Sequence, residues 1–324
     1  MPLPPYNVYR EQLTSLFHGH ALWEPDPTNL YAQVSVGDVG YVREGCFFRM
    51  FNVLLEWNDP SNYTLCEPEP YVRLDLGPFV NVRDSRFSRG DYYSRYVTPF
   101  QETSNTMAAG PDDATGTTYS CRRKQGALLT LPQDGLRKDV IRTKVFEDYI
   151  RDNVDNWYAF AVRRRLDVER MEDLILVTGC TLVTSWGVAA FVDSAQDAEI
   201  LLRFRGTFFD WREIRPSVTF QNSHPHNPHQ NQCVFIRGFR AKRVFLWTRL
   251  KGAADPLPDD PDNRREDEIQ VTRVPDIPHV SNFPAIGCRR TEHDVSFLVP
   301  RPAHRGIRLS RGEVPRRYCG HCPR

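Results

Sequence analysis

The chain has 324 residues, 40% of them hydrophobic and 12% aromatic, which is enough to build a sizeable core in one main domain with a peripheral tail. Its 42 basic and 41 acidic side chains leave a formal net charge of +1. This balance excludes a global field that would attract nucleic acid or an anionic membrane. The 25 prolines outnumber the 19 glycines and indicate many extended connections.

The first ten residues, MPLPPYNVYR, contain neither the basic segment nor the apolar segment of a secretory signal. We therefore expect a cytoplasmic protein. The eight cysteines are spread along the chain, several of them in apolar segments where a reduced thiol packs as a small hydrophobe.

In chain order, the first part of the sequence predicts a short helix over residues 5–20 and then a series of β-strands. Apolar, aromatic and β-branched residues mark these strands. We expect them at 30–36, 47–57, 71–82, 92–97 and 126–132. The intervening residues 101–118 are polar and rich in small side chains, which indicates a surface loop.

The middle of the chain predicts two helices followed by further strands. Asp134 can cap a helix that runs through VIRTKVFEDYIRDNV at 140–154, and a second helix is expected at 155–165. A meander should follow, because short links between consecutive strands favour antiparallel pairing. Its strands are expected at 174–180, 185–192, 198–209, 214–220 and 232–249, the last broken near Gly238. The predicted fold class is α+β, a mainly antiparallel twisted sheet with a few helices packed on it.

Residues 174–192, LILVTGCTLVTSWGVAAFV, carry no charge and are nearly long enough for a membrane-spanning helix. The central Gly179, the threonines and the β-branched residues favour two short buried strands around a turn. Acidic residues border the run at Glu172, Asp173 and Asp193, and no basic cluster adjoins it. We therefore predict buried strands.

Residues 251–268 are rich in proline and acidic side chains, which is typical of a linker or an exposed loop. This segment divides the chain into a main α+β domain at 1–250 and a remainder at 269–324. The remainder contains a peripheral β-like segment and a basic tail, which is either solvated or available to an acidic partner.

Two short motifs contain weak candidates for metal ligands. His224, His226 and His229 lie close together, but prolines between them prevent a shared helical face, so adventitious binding or none is expected. Cys319 and Cys322 belong to a CGHC tetrad that matches the dithiol of disulfide isomerases or half of a zinc site. Only two residues follow it, too few for the helix that lowers a thiol pKa.

Familiar catalytic motifs are missing from the sequence. It contains no phosphate-binding loop, dinucleotide-binding glycine motif, nucleophile elbow, HExxH sequence or kinase set. The sequence therefore nominates no catalytic residue and no cofactor. An enzyme that assembles its site from distant residues stays open as an alternative.

Three segments resemble the signature blocks of an uncharacterised cytosolic domain family of mushroom-forming (basidiomycete) fungi. They are GDVGYVREGCFFRMFNVLL at 37–55, LILVTGCTLVTSWGVAAF at 174–191 and NQCVFIRGFRAKR at 231–243. The resemblance covers roughly residues 20–250 and carries no assigned activity. Because such domains often stand beside nucleotide-binding signalling modules, it implies an interaction or self-recognition role.

The order of elements is also similar to that of gasdermin pore-forming domains. A strand ending at Leu131 and Pro132 precedes a helix carrying Phe146, and the strand ILVTGC and further strands follow. No residue motif supports this parallel. It implies that residues 174–192 and 198–209 are candidates for refolding into a membrane hairpin, although alternation is poor in the first of them.

The sequence thus predicts a non-catalytic intracellular interaction or signalling module of a fungal protein, with a role in self-recognition or immunity. It would have a protein partner and no nucleic-acid partner. The alternatives are a gasdermin-like pore-forming cell-death effector, the one reading that requires a membrane, and an enzyme with an unrecognised site.

Overall fold

The computed structural model describes residues 3–27, 33–56, 58–62, 68–77, 81–101, 116–193, 198–205, 208–213, 218–224, 229–245 and 267–274. These residues form two α-helices and sixteen β-strands in three antiparallel sheets, which confirms the predicted α+β class. The helices are α1 (Pro5–Thr14) and α2 (Lys144–Arg163). The strands are β1 (His20–Ala21), β2 (Asp38–Arg43), β3 (Cys46–Asn52), β4 (Val82–Phe87), β5 (Gly90–Tyr93), β6 (Val97–Gln101), β7 (Thr117–Cys121), β8 (Gly126–Leu131), β9 (Gly135–Val140), β10 (Leu174–Val183), β11 (Gly187–Phe191), β12 (Ala198–Arg205), β13 (Phe208–Glu213), β14 (Val218–Asn222), β15 (Gln232–Phe245) and β16 (Asp267–Val274).

Two long strands, β10 and β15, form the centre of the eight-stranded sheet, hereafter the large sheet. β15 pairs with β10 on one edge and with β1 and β16 on the other. β10 pairs through its first half with β2, which leads to β3, and through its second half with β9, which leads to β4. The predicted break at Gly238 is wrong, because β15 continues through it. A Cβ at Gly238 would overlap the backbone carbonyl of Leu176 on β10, so glycine permits the close approach there.

Helix α2 covers one face of the large sheet. Phe146, Ile150, Val154 and Trp157 repeat at helical spacing and are buried against sheet residues such as Phe51. This stripe continues past residue 155, so the two predicted helices at 140–154 and 155–165 are one helix. Its start was placed too early, because residues 135–140 form β9 between β4 and β10.

The two smaller sheets are built from the same four segments of chain. The second sheet has the order β14–β11–β8–β5, and the third has the order β13–β12–β7–β6. Each segment contributes one strand to each sheet, as 90–101 does with β5 and β6. Helix α1 packs between the large sheet and the second sheet, where Tyr9 and Leu13 are fully buried.

The uncharged run at 174–192 forms β10 and β11, in which every residue is buried, so the prediction of two buried strands is confirmed. The predicted meander is wrong here, because β10 belongs to the large sheet and β11 to the second sheet. Within the described part of the chain, no helix is both long and apolar enough to cross a membrane.

The predicted strand at 30–36 is irregular over its described part, 33–36, and the one at 71–82 is irregular over 71–77 and 81, with only Val82 of its described residues in a strand, at the start of β4. In residues 33–36, side chains make hydrogen bonds that a neighbouring strand would otherwise make. The Asp38 carboxylate accepts a hydrogen bond from the Ser35 backbone N–H at 2.7 Å, and the Asn52 amide donates to the Val36 carbonyl at 2.9 Å. These bonds satisfy backbone groups that a β-ladder would otherwise pair.

Candidate functional site

The third sheet consists of two β-hairpins lying side by side, and we call it the paired-hairpin sheet. β6 pairs with β7 in one hairpin, and β12 pairs with β13 in the other. The hairpins are joined by the pairing of β7 with β12, which places Tyr119 opposite Ile200. The sheet is therefore a continuous antiparallel surface of four strands.

The paired-hairpin sheet is amphipathic because its strands alternate. Its inner face is apolar and packs against Leu128, Ala189 and Phe191 of the second sheet. The opposite face is mainly polar, with Leu201 and Phe100 as apolar exceptions. The inner residues are Val97, Tyr119, Cys121, Ala198, Ile200, Leu202, Phe209 and Trp211. Apolar side chains thus predominate on the inner face of the sheet and polar side chains on the outer face.

Strand β13, at the edge of this sheet, carries a small aromatic stack. The Trp211 ring lies 5.5 Å from the Phe220 ring and 6.4 Å from the Phe209 ring, both in stacked geometry. Phe220 belongs to β14 of the second sheet. The stack therefore attaches the edge of the paired-hairpin sheet to the second sheet through half-buried rings.

A row of residues crosses four strands on one face of the large sheet. Arg83 on β4 pairs with Asp139 on β9, Asp139 with Gly179 on β10, and Gly179 with Arg237 on β15. Because Gly179 has no side chain, Arg237 reaches across β10 and forms an ion pair with Asp139. A Cβ at Gly179 would overlap the Asp139 carboxylate and lie 2.9 Å from Arg237 Nε.

Arg237 is held by many hydrogen bonds besides its bond to Asp139. Its guanidinium donates to the backbone carbonyl oxygens of His18 and Cys180, both at 2.8 Å, and to Thr181 Oγ1 at 3.0 Å. It also donates to the carbonyl of Lys138 at 3.2 Å. A planar guanidinium with five donors suits such a convergence of acceptors. The side chain is therefore fixed between β9, β10, β15 and the turn before β1.

Beside this row lies a cavity of about 620 Å³, which we call the arginine-lined cleft. Arg83, Arg86 and Arg137 line it together with Asp139. Arg137 Nε donates to Asp139 at 2.5 Å, and Arg86 pairs with Asp134 at 2.7 Å. Among the described residues, Arg83 has no carboxylate within ion-pair distance. The cleft therefore has a positive balance suited to an anionic group.

The wall of the cleft also contains apolar and aromatic side chains. The His18 ring packs edge to face against the rings of Phe87 at 5.1 Å, Tyr92 at 5.3 Å and Phe235 at 5.6 Å. At the rim, Ile141 is 63% exposed. An acidic ligand with apolar groups would find both kinds of contact here.

Burial, and to a lesser degree the nearby Arg137 and Arg237 guanidiniums, lower the pKa of His18 to about 4. The imidazole is therefore neutral near pH 7. It adds no positive charge to the cleft and contributes an aromatic wall.

Acid should destabilise the protein partly through His18. Its folded-state pKa of about 4 lies below the value of about 6.5 in an unfolded chain, so the unfolded state binds more protons between these values and stability falls as pH falls. In His18→Phe, we expect the stability lost between pH 7 and pH 4.5 to be smaller by about 1 kcal/mol, which is less than the full pKa difference gives because solvent screens the partly exposed ring. Urea unfolding at both pH values measures it.

The matched control for this experiment is His229→Phe, which changes an exposed histidine. Its loss of stability should equal that of the wild type. Asp38, whose pKa burial raises to about 6, is common to all three proteins and cancels in the comparison. Equal acid sensitivity in His18→Phe and the wild type would contradict the assignment.

The histidine and cysteine motifs fall only partly within the described residues. His224 and His229 are exposed, whereas His226, Cys319 and Cys322 lie outside the described residues. Over the ranges that the structure describes, no group of three or more His, Cys, Asp or Glu side chains is arranged to hold a metal ion. Metal binding at these motifs stays a prediction. No sequence pattern indicated a functional role for Asp139 or Arg237.

Neither the known protein-family models nor the curated proteins include a match to this sequence. The resemblance to the fungal domain and the parallel to gasdermins therefore stay predictions. The functional proposals therefore rest on the geometry of the paired-hairpin sheet and of the arginine-lined cleft.

Proposed function

We propose that this chain is a pore-forming protein of the gasdermin-like kind, and that its paired-hairpin sheet enters the membrane. The observation that supports this proposal is the side-by-side arrangement of two amphipathic hairpins, β6–β7 and β12–β13. Membrane-inserted strands need one apolar face toward lipid and one polar face toward water. The inner face of this sheet would meet the lipid, and the outer face would meet water.

Strand length supports the same proposal. A strand needs about 9–11 residues to cross a bilayer, which is more than any one of these short strands contains. If the strands of the second and third sheets joined end to end, each segment would run for at least a dozen residues, as 90–101 does. Residues 117–131, 187–205 and 208–222 are longer still. The sequence had nominated 174–192 as well, but β10 is hydrogen-bonded along both edges in the large sheet.

A charge on the lipid-facing side should prevent insertion. Trp211→Arg places a cation on the inner face of β13, at a half-buried position. An arginine at the bilayer midplane costs about 2–4 kcal/mol, so we expect dye leakage from liposomes to slow at least tenfold. Leakage is measured with the full chain before and after limited proteolysis within 251–268.

Two variants control this experiment. Trp211→Phe keeps the inner face apolar, and Arg212→Glu changes a charge on the exposed outer face of the same strand. Both should retain wild-type leakage. Near-UV circular dichroism establishes that each variant is folded. Wild-type leakage by folded Trp211→Arg, or no leakage by the wild type in either state, would contradict the proposal.

The second candidate function is the non-catalytic interaction module, with an acidic protein segment as its partner. The arginine-lined cleft favours it, since Arg83, Arg86 and Arg137 stand beside the exposed side chain of Ile141. Such a surface offers charge complementarity and apolar contact to an extended acidic peptide. The fungal and cytoplasmic setting, and the enzyme alternative, stay predictions.

A labelled peptide of alternating Glu and Leu tests the interaction candidate. Arg83→Glu reverses a charge at the cleft and should weaken peptide binding at least tenfold, because a like-charge contact replaces an attraction. The control is Arg122→Glu, an exposed arginine outside the cleft. Fluorescence anisotropy measures both affinities. Equal weakening by the two variants would indicate attraction by overall charge and contradict a site at the cleft.

A further inference from the structure

A second, smaller cavity lies where α1, β1, β15 and β16 meet, away from the arginine-lined cleft. Its volume is about 260 Å³, and we call it the His20 cavity. Its walls include Arg10 and Thr14 from α1, His20 from β1 and Arg240 from β15. β16 completes the wall with Thr272, Arg273 and Val274. The cavity thus combines cationic, hydroxyl and imidazole groups from four elements.

His20 is the unusual member of this set. Its side chain is almost wholly buried, since the residue is only 5% exposed. Its Nε2 atom is buried and has no hydrogen-bond partner among the described residues. A buried polar nitrogen without a partner destabilises the folded state, so a ligand that accepts its hydrogen bond would be favoured here.

Two guanidiniums stand near this imidazole. Burial and then the charges of Arg240 and Arg10 lower the pKa of His20, which is therefore neutral near pH 7. Arg10 also pairs with Glu11 at 3.3 Å on the surface. Arg273 is directed toward α2, where it donates to Thr143 at 3.4 Å and stands over the Phe239 ring. Arg10 and Arg240 are thus the cations that act on His20.

The chemistry of these groups selects a small oxyanion. The neutral imidazole can donate Nε2–H, the guanidiniums can each donate more than one bond, and Thr272 can supply a hydroxyl. No carboxylate belongs to the described lining of the cavity. Tetrahedral oxyanions accept several charge-assisted hydrogen bonds, which is the arrangement that arginine favours.

We infer that the His20 cavity binds an oxyanion of the phosphate class, with His20 Nε2, Arg10 and Arg240 as its principal donors. The ligand would complete the hydrogen bonding of His20 and tie α1 to β15 and β16 of the large sheet. This site is independent of the paired-hairpin sheet, so its failure would not affect the proposed pore-forming function.

Inorganic phosphate is the probe for this site. The full chain is titrated with phosphate against sodium chloride of equal ionic strength, with the melting temperature and the ¹⁵N shift of the His20 imidazole as readouts. We expect a saturable rise in the melting temperature and a shift of the His20 resonance. Arg10→Gln, which removes a half-buried side chain from the rim, should weaken phosphate binding about tenfold.

Arg83→Gln is the matched control, since it removes an arginine from the arginine-lined cleft instead. It should leave phosphate binding and the His20 shift unchanged. Loss of binding in Arg83→Gln with retention in Arg10→Gln would overturn the inference. A response to phosphate no greater than to chloride would overturn it too, because ordered water would then account for the cavity.

Vesicles distinguish a free oxyanion from a lipid headgroup. Phosphatidylcholine vesicles with and without phosphatidic acid are floated with the chain. If the protein floats only with phosphatidic acid and inorganic phosphate releases it, the oxyanion is a headgroup. If phosphate binds and the vesicles do not, it is a soluble ion. Both results retain the site, provided that Arg10→Gln weakens the interaction.

Discussion

Replacing Arg237 with methionine is expected to lower the free energy of unfolding by about 3–5 kcal/mol, the usual result of removing one partner of a buried ion pair. The Arg237 side chain is only 13% exposed and donates to Asp139, to Thr181 and to three backbone carbonyls. Methionine fills the space but leaves those acceptors without a donor. Urea unfolding followed by far-UV circular dichroism measures the loss.

Arg86→Met is the control for this experiment. Arg86 lies on the edge strand β4 and pairs with Asp134, but its side chain is 71% exposed. Surface ion pairs contribute about 0–1 kcal/mol, so this variant should remain close to the wild type. A stability of Arg237→Met within 1 kcal/mol of the control would mean that the convergence of hydrogen bonds on Arg237 contributes little.

Gly179→Ala should destabilise the protein by about 3 kcal/mol, at the upper end of the cost of overpacking a core. The added Cβ would overlap the Asp139 carboxylate and lie 2.8 Å from the Lys138 carbonyl oxygen, so backbone as well as side chains must move. The ion pair of Asp139 with Arg237 is displaced in the same step. Urea unfolding again provides the measurement.

Gly135→Ala supplies the comparison. A Cβ at this position, on β9, would lie 3.0 Å from both the Leu182 carbonyl oxygen and Val183 Cγ1, which small shifts can relieve. Its cost should stay below about 1 kcal/mol, because alanine is favoured over glycine within a strand. In the double variant Gly179→Ala with Arg237→Met, the loss of stability should be smaller than the sum of the losses in the two single variants. Full additivity would show that the residues act independently.

Hydrophobic periodicity predicted the positions of the helices and strands better than it predicted which strands pair with each other. Residues 174–192 contain β-branched residues, threonines and the central Gly179, and these local features were sufficient to predict two buried strands. They contain nothing that assigns β10 and β11 to different sheets, since pairing depends on segments such as 126–131 and 232–239 far along the chain. The start of helix α2 was placed too early because residues 135–140 form β9, whose pairing with β4 and β10 depends on distant segments, and so short a segment shows no clear period of its own.

The arginine-lined cleft was beyond prediction for a related reason. Gly179 was interpreted as evidence for a turn, which is the commonest meaning of glycine in an apolar run. In the structure it lies within β10 and leaves room for Arg237 to reach Asp139. The three residues come from separate parts of the sequence, and only the register of β9, β10 and β15 brings them together.

The short strand β1 has a consequence for biosynthesis. His20 and Ala21 pair with Ile236 and Phe235, so the pairing of β1 with β15 cannot form until more than 200 further residues have been translated. At about 5–20 residues per second, the ribosome needs roughly 10–40 s to supply them. During that interval the apolar face of α1, including Tyr9 and Leu13, has no completed sheet to cover it. We expect the nascent chain to need chaperone protection until β15 leaves the ribosome.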